Sequence, residues 1–111
     1  MLLLTLALAT PAPVAIEAKA DEFVVPADDW ARPRSGERVA ALPSVRAAVN
    51  AWLDADGVRL VVLHPGGETG ALWGAEMRDW LVALGVAPTE LALRAGSPRD
   101  DAVVLRLERA R

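Results

Sequence analysis

Apolar residues along the chain follow two periodicities, which predict strands and helices in alternation. Val58–His64 contains an uninterrupted apolar run at residues 60–63, which is typical of a central strand buried on both faces. A Pro-Gly-Gly step ends that strand. Apolar residues then recur at steps of three and four as far as Gly85, which predicts an amphipathic helix closed by a glycine cap. The apolar stripe of this helix consists of Leu72, Trp73, Met77, Trp80, Leu81 and Leu84.

One strand and two helices are predicted before this unit. Residues 22–25 form a short strand that Pro26 stops, because proline has no donor for the strand ladder. Residues 35–42 favour a short helix, and residues 44–55 favour a longer one with Ser44 as its N-cap. The face of the longer helix that packs on a sheet is predicted to consist of Val45, Val49, Trp52 and Leu53.

Two alternating segments, residues 90–94 and 103–108, predict a last pair of strands. Glycine, serine and proline between them, at residues 95–101, indicate a hairpin loop. The order is therefore βαβαββ. We expect an α/β (α+β) two-layer sandwich, with a mixed sheet and its two main helices on one face.

The first twenty residues differ in composition from the rest of the chain. Residues 1–9 carry no charge, residues 11–20 have the proline and alanine content of a linker, and Ala7-Leu8-Ala9 and Ala18-Lys19-Ala20 offer small-x-small cleavage patterns. The apolar run is too short to span a bilayer. We therefore expect residues 1–20 to be an export segment and residues 21–111 to be one soluble periplasmic domain without an integral membrane span. A buried N-terminal strand or helix is the alternative.

Composition excludes several classes of function. The 111 residues contain no cysteine, which rules out disulfide frameworks, thiol catalysis and cysteine-ligated zinc. The formal net charge is −3, and eleven arginines are scattered among fifteen carboxylates. Binding to nucleic acid is disfavoured because it needs a clustered positive surface. No feature of the sequence indicates a cofactor.

The segment between the central strand and its helix, residues 64–70, is the first candidate ligand site. It holds the single histidine, His64, and then Gly66, Gly67, Glu68 and Thr69. Backbone amides at the start of a helix can bind an anion, and glycines allow its close approach. Against a phosphate loop, the segment has no lysine and carries a negative charge at residue 68. Residue 68 or 69 is also expected to cap the helix.

Catalysis or metal binding at the same segment would need further partners. An enzyme would use His64 as a base with Glu68 beside it, and a metal site would need those two side chains and a third ligand from elsewhere in the chain. A lone histidine at a strand end is more often a packing residue. We therefore predict no catalytic residue and no metal site.

A second candidate surface surrounds Trp30, which lies in a charged stretch with Arg32 and Arg34. The other tryptophans fall on apolar helix faces and are expected in the core. An exposed tryptophan between arginines is a typical contact point for a partner protein or a glycan. The alternative is that these charges simply solvate a loop.

The order of elements, the sequence LVVLHPGGETG at residues 60–70 and the helix end WLVALGV at residues 80–86 resemble the OmpA-like peptidoglycan-associating domain. The first segment is similar to that family's strand and its glycine-histidine-threonine-aspartate-x-x-glycine loop. The similarity covers residues 23–108. It implies a periplasmic module that grips the diaminopimelate of cell-wall peptides with a loop aspartate and a helix arginine.

The two ligand positions implied by the resemblance do not carry the family's residues. Aligned on Gly70, the aspartate position is Gly67, and counted back from Gly85, the arginine position is Trp73. We therefore expect a non-catalytic envelope module that contacts a partner protein. Peptidoglycan binding through a displaced pair, Glu68 with Arg78, is one alternative, and a small anion at residues 64–70 is another.

Overall fold

The computed structural model of the protein describes residues 21–110, so the predicted export segment lies outside the described residues. Four strands form one mixed sheet with the order β1-β4-β2-β3. They are β1 (Glu22–Pro26), β2 (Val58–His64), β3 (Leu91–Ala95) and β4 (Ala102–Arg109). β4 runs antiparallel to both of its neighbours, and β2 and β3 are parallel.

Four α-helices and one 3₁₀ turn connect these strands. They are α1 (Ala27–Trp30), α2 (Gly36–Ala41), α3 (Pro43–Asp54), α4 (Gly67–Ala83) and the turn Pro88–Glu90. α1 occupies part of the charged stretch that was expected to be a loop. α3 and α4 are the two main helices, and α1 and α2 fill the path from β1 to α3.

The two main helices pack on the same face of the sheet. One cluster of buried side chains joins Val45 of α3 and Met77 of α4 to Leu60 of β2 and Leu105 of β4. Alternate residues of a strand point to the same face, so these contacts define one helical layer and one sheet layer. The predicted α+β two-layer sandwich is therefore confirmed.

The opposite face of the sheet has an apolar centre and charged surroundings. Val61, Leu63 and Val104 are at most 3% exposed and form their own cluster. Among the described residues this cluster contains side chains from strands alone. On the same face, Arg106 pairs with Glu22 at 2.6 Å and Arg94 pairs with Glu108 at 2.9 Å. The first pair joins β4 to its neighbour β1. The second joins β4 to β3 and crosses over β2, which lies between them.

The predicted hairpin between the last two strands was wrong. β3 and β4 are antiparallel in direction, but β2 lies between them. The connecting segment crosses the end of β2, where the amides of Gly96 and Ser97 both donate to the carbonyl oxygen of His64 at 3.1 and 3.0 Å. Composition identified the loop correctly, but it carries no information about which strand lies beside which.

The helix starts also differ from prediction. Leu42 is the N-cap of α3 and Pro43 is its first residue, a position where the missing amide hydrogen costs nothing; Ser44 is therefore not the cap. Gly66 is the N-cap of α4 and no side chain caps this end, so neither Glu68 nor Thr69 does so.

The glycine cap at the end of α4 is confirmed. Gly85 has φ +110°, and its amide donates to the carbonyl of Val82 at 3.0 Å. The amide of Val86 donates to the carbonyl of Leu81 at 3.0 Å. These two bonds form a Schellman motif, which satisfies the last carbonyl groups of the helix.

Two leucines that were expected in the core lie at the surface. Leu53 is 64% exposed and Leu72 is 68% exposed. Leu53 lies at the flank of α3's apolar face in its last turn, and Ala48 is buried in its place. Leu72 precedes buried Met77 by five residues, which at 100° per residue places it on the far side of α4.

Within residues 21–110, no helix combines the length and the apolar character that crossing a membrane requires.

The core between the sheet and the helices predicts a large difference between two leucine-to-alanine variants. We expect Leu105→Ala, which removes a side chain of 0% exposure, to lower the free energy of unfolding by about 2–5 kcal/mol because it leaves a cavity. Leu53→Ala, at the surface, should change it by less than about 0.5 kcal/mol. Urea unfolding followed by tryptophan fluorescence measures both. Equal effects of the two variants would contradict the described core.

Candidate functional site

The predicted ligand segment lies where the parallel strands β2 and β3 end and α4 begins. His64 is the last residue of β2, and Gly66, Gly67, Glu68 and Thr69 follow at the surface. Gly67 has φ +86°, a backbone conformation that favours glycine. The structure therefore brings together five of the six predicted ligand residues, and four of the five are exposed.

The ring of His64 is held by packing and by a hydrogen bond within the segment. Its Nδ1 lies 2.8 Å from the carbonyl oxygen of Pro65, and since a carbonyl oxygen can only accept, Nδ1 carries the hydrogen. The place that a carboxylate takes in a catalytic dyad is thus taken by a neutral oxygen, which stabilises a charged imidazolium less well than a carboxylate does. The hypothetical dyad with Glu68 is not formed.

Two glycines of α4 allow the helix to approach the end of β2 very closely. A Cβ atom at Gly74 would lie 2.7 Å from the Cβ of His64 and 2.9 Å from its ring. A Cβ atom at Gly70 would lie 2.6 Å from the carbonyl carbon of Pro65 and would overlap its oxygen. Both glycines are buried. The first turns of α4 are therefore held against the end of β2. The exposed residues 66–69 connect that strand end to the helix, so both ends of this segment are held in place.

Arg78, the sixth predicted ligand residue, does not join the other five. It follows Glu68 by ten residues on the same helix, which corresponds to about 15 Å along the helix axis. Arg78 lies 3.7 Å from its neighbour Asp79. This separation disfavours contact of both side chains with one zwitterionic head group, so the displaced diaminopimelate site stays a prediction.

Trp30 is buried, contrary to the prediction of an exposed contact residue. It is 6% exposed, and its ring stacks on Trp73 of α4 with 6.5 Å between the ring centroids. The guanidinium of Arg34 lies 4.9 Å from the Trp30 ring, and its Nη1 donates to the Trp30 carbonyl at 2.7 Å. Arg32 is exposed. The segment between α1 and α2 is thus attached to α4 and offers no free tryptophan.

Arg34 completes this attachment through an ion pair with Glu76 of α4. Its Nη2 donates to one carboxylate oxygen at 2.8 Å and its Nε donates to the other at 2.5 Å. Trp80 Nε1 also donates to Glu76, at 3.2 Å. The hydrogen bond from Arg34 holds the pKa of Glu76 below its ordinary value, although burial opposes this, and the same pair raises the pKa of Arg34.

Two surface depressions lie away from this segment. One, lined mainly by Val45, Val49 and Leu84, has a volume of about 180 Å³, which is below the range of roughly 300–1,000 Å³ of small-molecule sites. The other, of about 720 Å³, is an open depression with Asp56, Arg109 and other charged residues around it. Neither contains a predicted ligand residue.

Sequence reasoning missed Gly74 and Glu76. A glycine inside a helical pattern is a signal of close backbone approach, so the role of Gly74 could have been predicted from the sequence. The partner of Glu76 is 42 residues away in sequence, and no local pattern identifies a contact at that separation.

No three His, Asp or Glu side chains within residues 21–110 are grouped as they would be to hold a metal ion.

No protein-family model, no curated protein and no solved structure matches the chain. The resemblance to the OmpA-like domain therefore stays a prediction.

Replacing Gly74 tests the close approach of α4 to β2. Alanine in place of glycine inside a helix ordinarily stabilises by roughly 0.5–1 kcal/mol. We expect Gly74→Ala to destabilise instead, by about 1–3 kcal/mol, because the new methyl group overlaps His64. Gly36→Ala is the control, since its Cβ would make an ordinary contact at 3.6 Å with Trp80. Thermal and urea unfolding give the sign, and a stabilised Gly74→Ala variant would contradict the described packing.

Glu76 predicts a pH-dependent contribution to stability. A carboxylate whose pKa is lowered by folding stabilises the folded state above its ordinary pKa, and this is lost as the pH falls through the folded value. We expect Glu76→Gln to cost about 1 kcal/mol or less at pH 7, because the pair is partly exposed. The difference from wild type should shrink below about pH 4.5.

Glu90→Gln, at an exposed position, is the control for loss of a charge. Urea unfolding at pH 7 and pH 3, followed by near-ultraviolet circular dichroism of the tryptophans, measures the effect. A Glu76→Gln penalty that is equal at the two pH values would show that the ion pair does not contribute.

Proposed function

We propose that the chain is an exported, non-catalytic binding module of the cell envelope, which contacts a partner protein through residues 66–69. The observation that supports this most is the contrast between the exposed segment and its fixed ends. At the start of the segment, the carbonyl of His64 accepts hydrogen bonds from the amides of Gly96 and Ser97, and at its end Gly70 packs directly against Pro65. A surface segment that is already ordered loses less entropy when it binds.

Export and the envelope location are supported by sequence alone. Residues 1–9 are uncharged and apolar, and residues 7–9 and 18–20 have the small-x-small pattern that precedes cleavage. The resemblance of residues 60–70 to the OmpA-like loop points to the same compartment. A protein partner is favoured over peptidoglycan because Glu68 and Arg78 are far apart on α4.

In-cell crosslinking tests this proposal. A photo-crosslinking amino acid at Thr69, in the exposed segment, should give an adduct of defined mass in the envelope fraction. The same amino acid at Leu53, which is 64% exposed and lies at the far end of α3, is the control and should give none. The proposal fails if the protein remains in the cytoplasm, or if neither position or both positions give the adduct.

Sedimentation with insoluble peptidoglycan sacculi separates the protein partner from the cell wall. We expect the purified protein to stay in the supernatant. Co-sedimentation that is lost in Glu68→Ala and in Arg78→Ala would instead support the peptidoglycan alternative.

A small anion remains a second candidate ligand for residues 64–70, because no side chain caps the start of α4 and its first amides face the segment. Glu68 in the first turn opposes it. If phosphate binds at this segment, it should raise the melting temperature of the protein, and the Gly67→Asp variant should lose that increase.

A further inference from the structure

α4 is apolar on more of its circumference than the sheet and the other helices cover. Gly70, Gly74, Met77 and Leu81 are buried against the sheet, and Trp73, Glu76 and Trp80 contact the segment of α1 and α2. Val82, on the flank toward β3, nevertheless remains 37% exposed, and Leu72, on the outer side of the helix, is 68% exposed. An apolar helix face without a partner inside the molecule is a typical interaction surface.

The flank of α4 that faces away from α1 and α2 has a defined composition. At 100° per residue, it consists of Glu68, Ala71, Ala75, Arg78 and Val82. We call this set the free flank of α4. It lies on the side of β3, which is a strand at the edge of the sheet, and Leu93 of β3 is 41% exposed. The apolar surface therefore extends from the helix to the sheet edge.

The charges on the free flank are arranged so that a second copy of the same flank complements them. Glu68 in the first turn and Arg78 ten residues later lie on either side of the small residues Ala71 and Ala75. Suppose that two copies of α4 pack antiparallel and that the twofold axis crosses them at the level of residue 73 along the helix. Glu68 of each copy then faces Arg78 of the other. Ala71 then faces Ala75, and small side chains there let the helices approach closely.

We propose that the protein forms a twofold-symmetric homodimer through the free flank of α4. The symmetry makes every contact occur twice, so the interface contains two Glu68–Arg78 ion pairs around an alanine centre. The same two residues that lie far apart within one chain are thus brought together between two chains. This inference does not depend on the proposed envelope function.

The expected strength follows from the size of the surface. α4 has 17 residues and is therefore about 25 Å long, and one flank of such a helix covers less than the roughly 800 Å² per partner of a standard stable interface. We therefore expect a dimer that dissociates in the micromolar range. Sedimentation velocity of the full chain between about 1 and 500 µM should show the mass rising from 11.8 kDa to twice that value.

Charge reversal tests the pairing itself. Glu68→Arg places two arginines opposite each other in both halves of the dimer, and Arg78→Glu places two glutamates opposite each other in both halves. Each variant alone should dissociate about 10-fold more readily, because two exposed attractive pairs become repulsive. An equimolar mixture of the two variants should restore the dimer.

In the mixed dimer, the Glu68→Arg chain carries arginine at both positions of its flank, and the Arg78→Glu chain carries glutamate at both. Each of the two facing pairs then joins an arginine of one chain to a glutamate of the other. The mixture should therefore sediment as a heterodimer under conditions in which each variant alone is monomeric.

Matched variants at other surface positions are the controls. Glu37→Arg and Arg99→Glu, at exposed sites, should leave the dimer intact. Ala71→Trp should block the close approach, whereas Ala47→Trp on α3 should not, and thermal unfolding confirms that each variant is folded. A mass of 11.8 kDa throughout the concentration range overturns the proposal, and so does a dimer that withstands both charge reversals.

Discussion

The close approach of α4 to the end of β2 is the constraint on which the rest of the structure depends. Gly70 and Gly74 have no side chains to separate the helix from Pro65 and His64, so the helix lies directly against the strand end. This position allows Trp73 to stack on Trp30 and Glu76 to reach Arg34. A methyl group at Gly70 would meet the backbone of Pro65, and one at Gly74 would meet the side chain of His64, so either would push α4 away from the strand end.

The close approach of α4 also determines which groups of the candidate site pack inside the protein and which are exposed. His64 is the one imidazole of the chain, and it serves as the surface on which Gly74 packs. What the segment offers to the outside is the backbone and short side chains of residues 66–69. An ordered surface segment on a rigid base is suited to recognition, and the neighbouring flank of α4 provides apolar area and alternating charge.

The sequence predicted those parts of the structure that local periodicity determines. The bounds of β2 were correct, as were the cap at Gly85, the two main helices and their packing on one face. It failed where a contact depends on residues far apart in the chain. Trp30 was expected at the surface because its neighbours are charged, but Arg34 is turned toward Glu76 and the indole is stacked under it. Leu72 was assigned to the apolar stripe because apolar residues recur there at steps of three and four, although its angular position on α4 is far from that of Met77 and it is 68% exposed.

The position of β4 in the sheet has a consequence for how the chain acquires its structure. β4 is the last strand in sequence, yet it lies between β1 and β2 and provides hydrogen bonds to both. The first strand therefore has no neighbour in the sheet until residues 102–109 have been synthesised. β2 and β3 can pair before β4 is made, but β1 joins the sheet only through β4, and pairing over such a long sequence separation is slow. A stop codon before β4 would therefore leave β1 without a partner strand in the sheet.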